Sequence, residues 1–354
     1  MIVCAAGHRR IGSLILLRVT ALLAITAVTA GLPAAEEAIA ADRPVPLIDL
    51  GTGTYHGLTG GLYLNGSNAV PSDHRDAGIR SGRSVQPLDV NGNPGATGRV
   101  VLLSIGMSNT SQEFCSQNGF PPCDPWTFMG QAASDPPVNK AGLRIVNGAK
   151  GGQDASVWTT PDARNYNRIR DELLLPLGLS EKQVQVIWLK QAHRQPGASL
   201  PSPNADAYAL ESNLARIIRS AKVRYPNLKL VFISSRVYGG YGRLNPEPFA
   251  YESGFSVKWL IQAQIIQMRD GKVDPVAGDL DYTTGAAPWI AWGPYLWADT
   301  IPRSDGLMWA RPDFQSDGTH PSPSGERKVG EMLLQFFKTA PFTKCWFVTE
   351  GMCP

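Results

Sequence analysis

Between residues 100 and 337 the chain alternates short apolar runs with helical stripes, and this alternation restricts its possible folds more than any other feature. Five runs have strand length and composition: 100–105, 143–147, 183–189, 228–234 and, with the weakest pattern, 288–292. Between the third and fourth, Leu210, Leu214, Ile217, Ile218 and Ala221 share one helical face, with Asn204 placed to cap it. A longer helical pattern covers 250–269. A last helix carries Val329, Met332, Leu333, Phe336 and Phe337 on one stripe, with Ser322 suited to its N-cap and Pro323 to its first position. Strands and helices alternating at this spacing predict a parallel sheet covered on both faces. The expected fold is a three-layer α/β/α sandwich of flavodoxin-like type, with a central, mainly parallel sheet of about five strands. Ligands of such sheets bind at the carboxyl ends of the strands.

Two stretches fall where chemistry would sit. Ser104-Ile105-Gly106-Met107-Ser108-Asn109 closes the first strand, and Thr110, Ser111, Gln112 and Glu113 can open a helix. A serine there has its hydroxyl at the sheet edge and its N–H at a helix N-terminus, which suits a nucleophile whose attack builds an anion. An ordinary Gly-Ser turn that caps a helix looks the same. Near the other end lies Ser316-Asp317-Gly318-Thr319-His320-Pro321-Ser322. An Asp three residues before a His, on a loop ahead of the last helix, supplies a general base and its orienting carboxylate together.

Both stretches in one chain, in this order, resemble the SGNH (GDSL-type) hydrolase superfamily over about residues 100–338. The Gly-x-Ser-Asn form is more similar to the carbohydrate and sialate O-acetylesterase branch than to lipases with Gly-Asp-Ser-Leu, and Met107 departs from both. The resemblance implies Ser108 as nucleophile, His320 as base and Asp317 as the group that holds the imidazole. Of the five histidines, His8 lies in the N-terminal segment and His56 and His74 in a Gly-rich stretch. His193 and His320 remain, and His320 has the Asp at the family spacing. The oxyanion donors implied are the Ser108 N–H and a glycine after the second strand, where Gly152 aligns best and Gly151 next. Many members carry an Asn after the third strand as a further donor. This chain reads Trp188-Leu189-Lys190-Gln191-Ala192-His193-Arg194 there, which leaves Gln191, or else Lys190 or His193. Asn109 is a candidate substrate contact. Trp158 either walls the pocket or belongs to the core. Arg236, Tyr238, Tyr241, Trp289, Trp292, Trp297 and Trp309 gather around later loops, where rings either stack on a sugar or aryl group or pack inside.

The activity implied is that of a serine esterase removing O-acyl groups, acetyl foremost, from a carbohydrate through an acyl-enzyme. The alternatives are a lipase or arylesterase, and an inactive carbohydrate-binding relative, which the missing Asn favours. No cofactor or metal is called for, since no phosphate loop, dinucleotide fingerprint or zinc-type Cys/His spacing appears. A net charge of +3 offers no nucleic-acid surface.

Residues 1–40 read as a cleaved export signal, with His8, Arg9, Arg10 and Arg18 before an apolar stretch and small-residue cleavage sites after it. The product is then secreted or periplasmic, and no later segment is long and apolar enough to cross a bilayer. Residues 41–99, rich in Gly, Asn, Asp and Pro, are expected as an extended arm on a hydrolase domain of residues 100–340, with one hairpin or none. Residues 341–354 form a tail. Export permits disulfides. Cys115 with Cys123 and Cys345 with Cys353 have matched spacings and are the local pairing expected, although spacing leaves a link from Cys115 to the tail open.

Overall fold

Parallel strands cannot be joined by a tight hairpin, so a chain that pairs its strands this way must cross a face of the sheet each time it returns. The structure, a computed structural model, describes residues 40, 41, 43–116 and 118–354. All of the expected signal except Ala40 lies outside them. The chain begins with β1 (Ala40–Ala41), α1 (Leu47–Leu50), β2 (Thr54–Tyr55), β3 (Leu58–Thr59) and α2 (Ser72–Arg83). It continues through β4 (Val100–Gly106), α3 (Ser108–Phe114), α4 (Phe128–Ser134), β5 (Leu143–Val146) and α5 (Arg164–Arg168). There follow β6 (Val184–Lys190), α6 (Asp206–Arg224), β7 (Leu230–Ile233), α7 (Phe249–Asp270), β8 (Trp289–Trp292), α8 (Pro323–Thr339) and α9 (Lys344–Phe347). Strands β4 to β8 are the five expected runs. They pair in parallel in the order β5-β4-β6-β7-β8, which is the flavodoxin-like order.

Side chains alternate across the sheet. Val101, Leu103 and Ile105 of β4, with Ile187, Leu189, Val231 and Ile233, join a core shared with α6 and α7. Val100 and Leu102, with Val186, Trp188, Leu230 and Phe232, join a second core with Phe114, Phe128, Val329, Leu333 and Phe337. Strands β4 and β6 expose no residue, which is why their sequences read as unbroken apolar runs. Because β4 sends the chain first to β5 on one side and later to β6 on the other, a crevice opens at its carboxyl end.

The stretch before β4 is not an extended arm. Its hairpin is present, with Thr54 opposite Thr59, but α2 contributes a helix to one face of the sheet. The buried residues of α2 are His74, Ala77, Gly78 and Gly82. A Cβ on Gly78 would come within 2.3 Å of the Trp289 ring, so the missing side chain is what lets helix and strand approach. The Trp289 indole donates to His74 O at 3.0 Å, and the His74 ring stacks on the indole. A helix that buries small residues and a histidine has no apolar stripe to read. Its charges do follow a helix, with Asp73 in the first turn and Arg80 and Arg83 in the last. Leu47, Leu50, Tyr55 and Tyr63 are also buried, in the α6–α7 core.

Two smaller expectations meet the structure differently. Asn204 does not cap α6. The N-cap is Ala205, and Asp206 occupies the first turn. Ser322 is the N-cap residue of α8 with Pro323 in its first turn, but the Ser322 hydroxyl donates to Pro312 O and caps nothing. Disulfides join Cys115 to Cys123 and Cys345 to Cys353, with Cα atoms 4.6 and 4.9 Å apart. Trp346 and Phe347, within the second loop, are core residues. No helix among the described residues is long and apolar enough to cross a membrane.

Candidate active site

Strand β4 ends at Gly106 because the chain must double back into α3. A Cβ on Gly106 would meet Thr110 Oγ1 at 2.3 Å. The Thr110 hydroxyl donates to Lys190 O at 2.9 Å and ties the first turn of α3 to the end of β6. Met107 is the N-cap and Ser108 the first helical residue. The Ser108 N–H is therefore among those a helix leaves without an internal partner.

The loop before α8 brings the base. Its ends are held by the isolated bridge between Phe314 and Pro321 and by Gln315 N–H donating to His320 O at 2.8 Å. Gly318 has φ +68°, and a Cβ there would lie 1.9 Å from Tyr241 O, so no other residue fits this turn. Asp317 Oδ1 accepts the backbone N–H groups of Thr319 and His320 at 2.9 and 3.0 Å. Its Oδ2 lies 2.5 Å from His320 Nδ1, and His320 Nε2 lies 2.8 Å from Ser108 Oγ. An ionised carboxylate only accepts, so Nδ1 carries the proton and Nε2 faces the serine hydroxyl as acceptor. Burial alone would raise the Asp317 carboxyl. The hydrogen bonds from the His320 ring and the two amides outweigh it and hold the group below its ordinary value.

Ser108 and His320 open on a cavity of about 300 Å³, lined also by Met107, Asn109, Gly151, Gly152, Arg194, Arg236, Leu244, Asn245 and Thr319. A second recess of about 170 Å³ meets it at Ser108 and Gly151, and is walled by Asn118, Gly119 and Phe120 of the Cys115–Cys123 loop. Asn147 braces that wall, its amide donating to Ser111 O and Gly119 O at 3.0 and 3.1 Å.

The glycine pair after β5 lines the cavity. A Cβ on Gly151 would lie 3.5 Å from Ser108 Cβ, whereas one on Gly152, whose φ is +74°, would meet nothing within 4 Å. The open side of Gly151 thus faces Ser108, and that of Gly152, which aligned best, does not. Neither N–H is engaged among the described residues. Lys150 N–H donating to Gly106 O at 3.0 Å keeps their loop against the end of β4.

The third donor is corrected. Gln191 is buried and does not line the cavity, because its amide turns to donate to Gln153 O at 3.1 Å. Lys190 is fully buried with its Nζ on both oxygens of Glu113. Burial pushes that ammonium down, against the opposing pull of Glu113. His193 has both ring nitrogens occupied, by Asp206 at 2.8 Å and Asn213 at 2.9 Å. Besides Ser108 and His320, the polar side chains that the described residues bring to the cavity are instead Asn109, Asn245, Arg194, Arg236 and Thr319. Asn109 and Asn245 each carry a buried Oδ1 without a partner among the described residues, and the Asn245 amide donates to His193 O at 3.1 Å.

Of the two readings left open for the aromatic residues, the structure gives packing. Trp158 is a core residue, its indole donating to Gln153 O and its face meeting Tyr166 edge-on. Trp289, Trp292, Trp297 and Trp309 are buried. Tyr238 is half-buried against Tyr241, outside the cavity. Position after β7 was the available signal for Arg236. Asn245, at φ +49° in a distant loop, offered none.

No family model matches this chain, and no curated protein matches it. Among solved structures the chain is similar to a lipolytic G-D-S-L family member from Veillonella parvula, at 12% identity over 68% of this chain and 98% of that one, with a TM-score of 0.37. It is similar to a carbohydrate esterase family 2 enzyme with a carbohydrate-binding domain from Myceliophthora fergusii, at 12% identity over 68% of this chain and 66% of that one, with a TM-score of 0.36. A salicylyl-acyltransferase from a tetracycline biosynthetic pathway is similar at 16% identity over 69% and 55%, with a TM-score of 0.36. Likeness of this degree assigns neither reaction nor substrate.

Proposed function

We propose that this chain is an SGNH-type serine esterase that removes O-acyl groups, acetyl foremost, from a carbohydrate. The observation that carries the reading is the line of hydrogen bonds from Ser108 Oγ through the His320 ring to Asp317. Ser108 Oγ attacks the ester carbonyl while Nε2 takes its proton, and Asp317 stabilises the imidazolium that forms. The Ser108 and Gly151 N–H groups, with Gly152 beside them, stabilise the oxyanion. Collapse expels the sugar alkoxide, which the imidazolium protonates. Water activated by the same nitrogen then frees the acyl group as a carboxylate.

The cavity walls support a short acyl group on a polar alcohol. Among the described residues, Met107 and Leu244 offer apolar wall beside Ser108 for a small acyl group, and amide, guanidinium and hydroxyl groups line the same space. A long acyl chain would leave those polar groups without water or a partner, which is costly. The two disulfides suit an oxidising compartment, which supports secretion or a periplasmic location.

The test is acetate release from acetylated polysaccharide, set beside p-nitrophenyl esters of rising chain length. Acetate release, turnover falling with chain length, and loss of both in Ser108→Ala are the expected results. Preference for the longer acyl chains would replace this reading with a lipase. No turnover of any ester by the folded protein would make it an inactive relative.

A further inference from the structure

Arg236 is 3% exposed, yet it lines the cavity that holds Ser108 and His320. It follows the end of β7, and its backbone N–H donates to Ser253 Oγ at 3.1 Å, which fixes where the side chain starts. Its guanidinium has no hydrogen bond among the described residues, and its Nε is buried without a partner. A buried cation without a partner is costly, so such a site asks for an anion.

The neighbouring carboxylates do not supply one. Both Glu113 oxygens are taken by Lys190. Glu247 accepts from Gly239 N–H, Tyr251 N–H and the Trp297 indole. These two groups act on Arg236 at a distance, and neither forms an ion pair with it. Arg194, exposed, lines the same cavity, with its backbone N–H on Asp154. Among the described residues, no Asp or Glu lines this space. The formal charges that the described residues bring to it are the two guanidinium groups, beside the amide oxygens of Asn109 and Asn245, which have no partner among those residues.

Resting on the esterase reading, we propose that Arg236, with Arg194 at the rim, binds a carboxylate on the sugar, so that the substrate is an O-acylated carbohydrate of uronic-acid type. The guanidinium fork matches the two oxygens of a carboxylate, and Asn109 and Asn245 accept from sugar hydroxyls nearby. The substrate anion completes a site that the protein leaves open.

The test compares an O-acetylated methyl glucuronoside with its uronamide, which has the same shape without the charge. The wild-type protein prefers the uronate by roughly 10–100-fold in kcat/KM, as a charged hydrogen-bonded contact implies. Arg236→Gln removes the preference mainly through KM, and Arg236→Lys restores part of it. Equal turnover of the two esters by the wild-type protein overturns the proposal. So does a fall in kcat of equal size on both esters in Arg236→Gln, which would place Arg236 at the oxyanion. Calorimetry on Ser108→Ala with the two unacetylated glycosides separates this inference from the esterase reading. Tighter binding of the uronate, lost when Arg236→Gln is added, supports the anion site even if no ester is cleaved. Equal binding overturns it even if esters are cleaved. Should Arg236→Gln not fold, the exposed Arg194→Gln decides: a severalfold weaker preference supports the site, and an unchanged one counts against it.

Discussion

Two histidines among the described residues carry an aspartate on Nδ1, and they differ in what faces the other nitrogen. His320 has Asp317 at 2.5 Å and Ser108 Oγ at 2.8 Å. His193 has Asp206 at 2.8 Å and the Asn213 amide at 2.9 Å. The first dyad is open, with side chains 25% and 48% exposed, while both side chains of the second are 14% exposed. An Asp–His pair is therefore not itself a catalytic sign. A hydroxyl can give its proton to the imidazole as it attacks, and an amide cannot. The first pair faces a cavity, and the second braces the start of α6 against the loop after β6.

The largest effects should separate the two rings. Ser108→Ala and His320→Ala should each lower ester turnover by roughly 10⁴–10⁶-fold, with the double variant no worse than either single one. His193→Ala should lose less than about tenfold, and instead lower the thermal midpoint by leaving Asp206 without its partner, a cost of about 1–3 kcal/mol. Equal loss of turnover in His193→Ala, with the fold intact by circular dichroism, would break the comparison.

The aspartates sharpen it with a smaller change. Asp317→Asn should cost roughly 10²–10⁴ in kcat, because an amide no longer selects the tautomer that leaves Nε2 free to accept. Asp206→Asn should change kcat far less and move mainly the melting temperature. Steady-state kinetics and melting curves on the two variants give both readouts.

The pH dependence should run in opposite directions. Burial would lower His193, but the hydrogen bond and charge of Asp206, with Asp154 behind it, outweigh burial and raise it above the ordinary histidine value. A raised folded pKa gives stability that is present below the unfolded value of 6.5 and is lost as pH rises through the folded pKa. Turnover needs a neutral base and so falls on the acid side. Asp317, held below its ordinary value, stays ionised there and is lost only as pH falls further, through its folded pKa. Melting curves and kcat/KM over the same pH series measure the two trends, and Asp206→Asn should remove the first and keep the second.

How much of this was legible follows from how each group is placed. Strands β4 and β6 were readable because both faces are buried and the pattern needs no partner to be seen. Asp317 and His320 were readable because one short turn holds them together. Helix α2 was not, since it packs through His74, Ala77, Gly78 and Gly82. The His193–Asp206 pair was not, since a loop of other residues separates them and only the fold closes it. Gln191 was misplaced for a related reason. Its position after β6 is right for a donor, but its amide is drawn to Gln153 O. Arg236 and Asn245 meet Ser108 only in three dimensions.

The smallest effect compares the two disulfide loops. The Cys115–Cys123 loop walls the recess beside Ser108, whereas the Cys345–Cys353 loop encloses core residues away from it. Each closure should stabilise by roughly 2–3 kcal/mol. Cys115→Ser with Cys123→Ser should also lower kcat severalfold. Cys345→Ser with Cys353→Ser should lower only the melting temperature, and equal kinetic losses would detach the first loop from the site.

The most direct measurement is covalent trapping with an alkyl p-nitrophenyl phosphonate ester, followed by peptide mass spectrometry. Phosphonylation needs the serine oxygen activated by its base. The wild-type protein and His193→Ala should both be labelled on Ser108 at similar rates, and His320→Ala should be labelled slowly or not at all. Labelling on another residue, or Ser108 labelled at the wild-type rate in His320→Ala, would contradict the assignment of Ser108 and His320 as nucleophile and base.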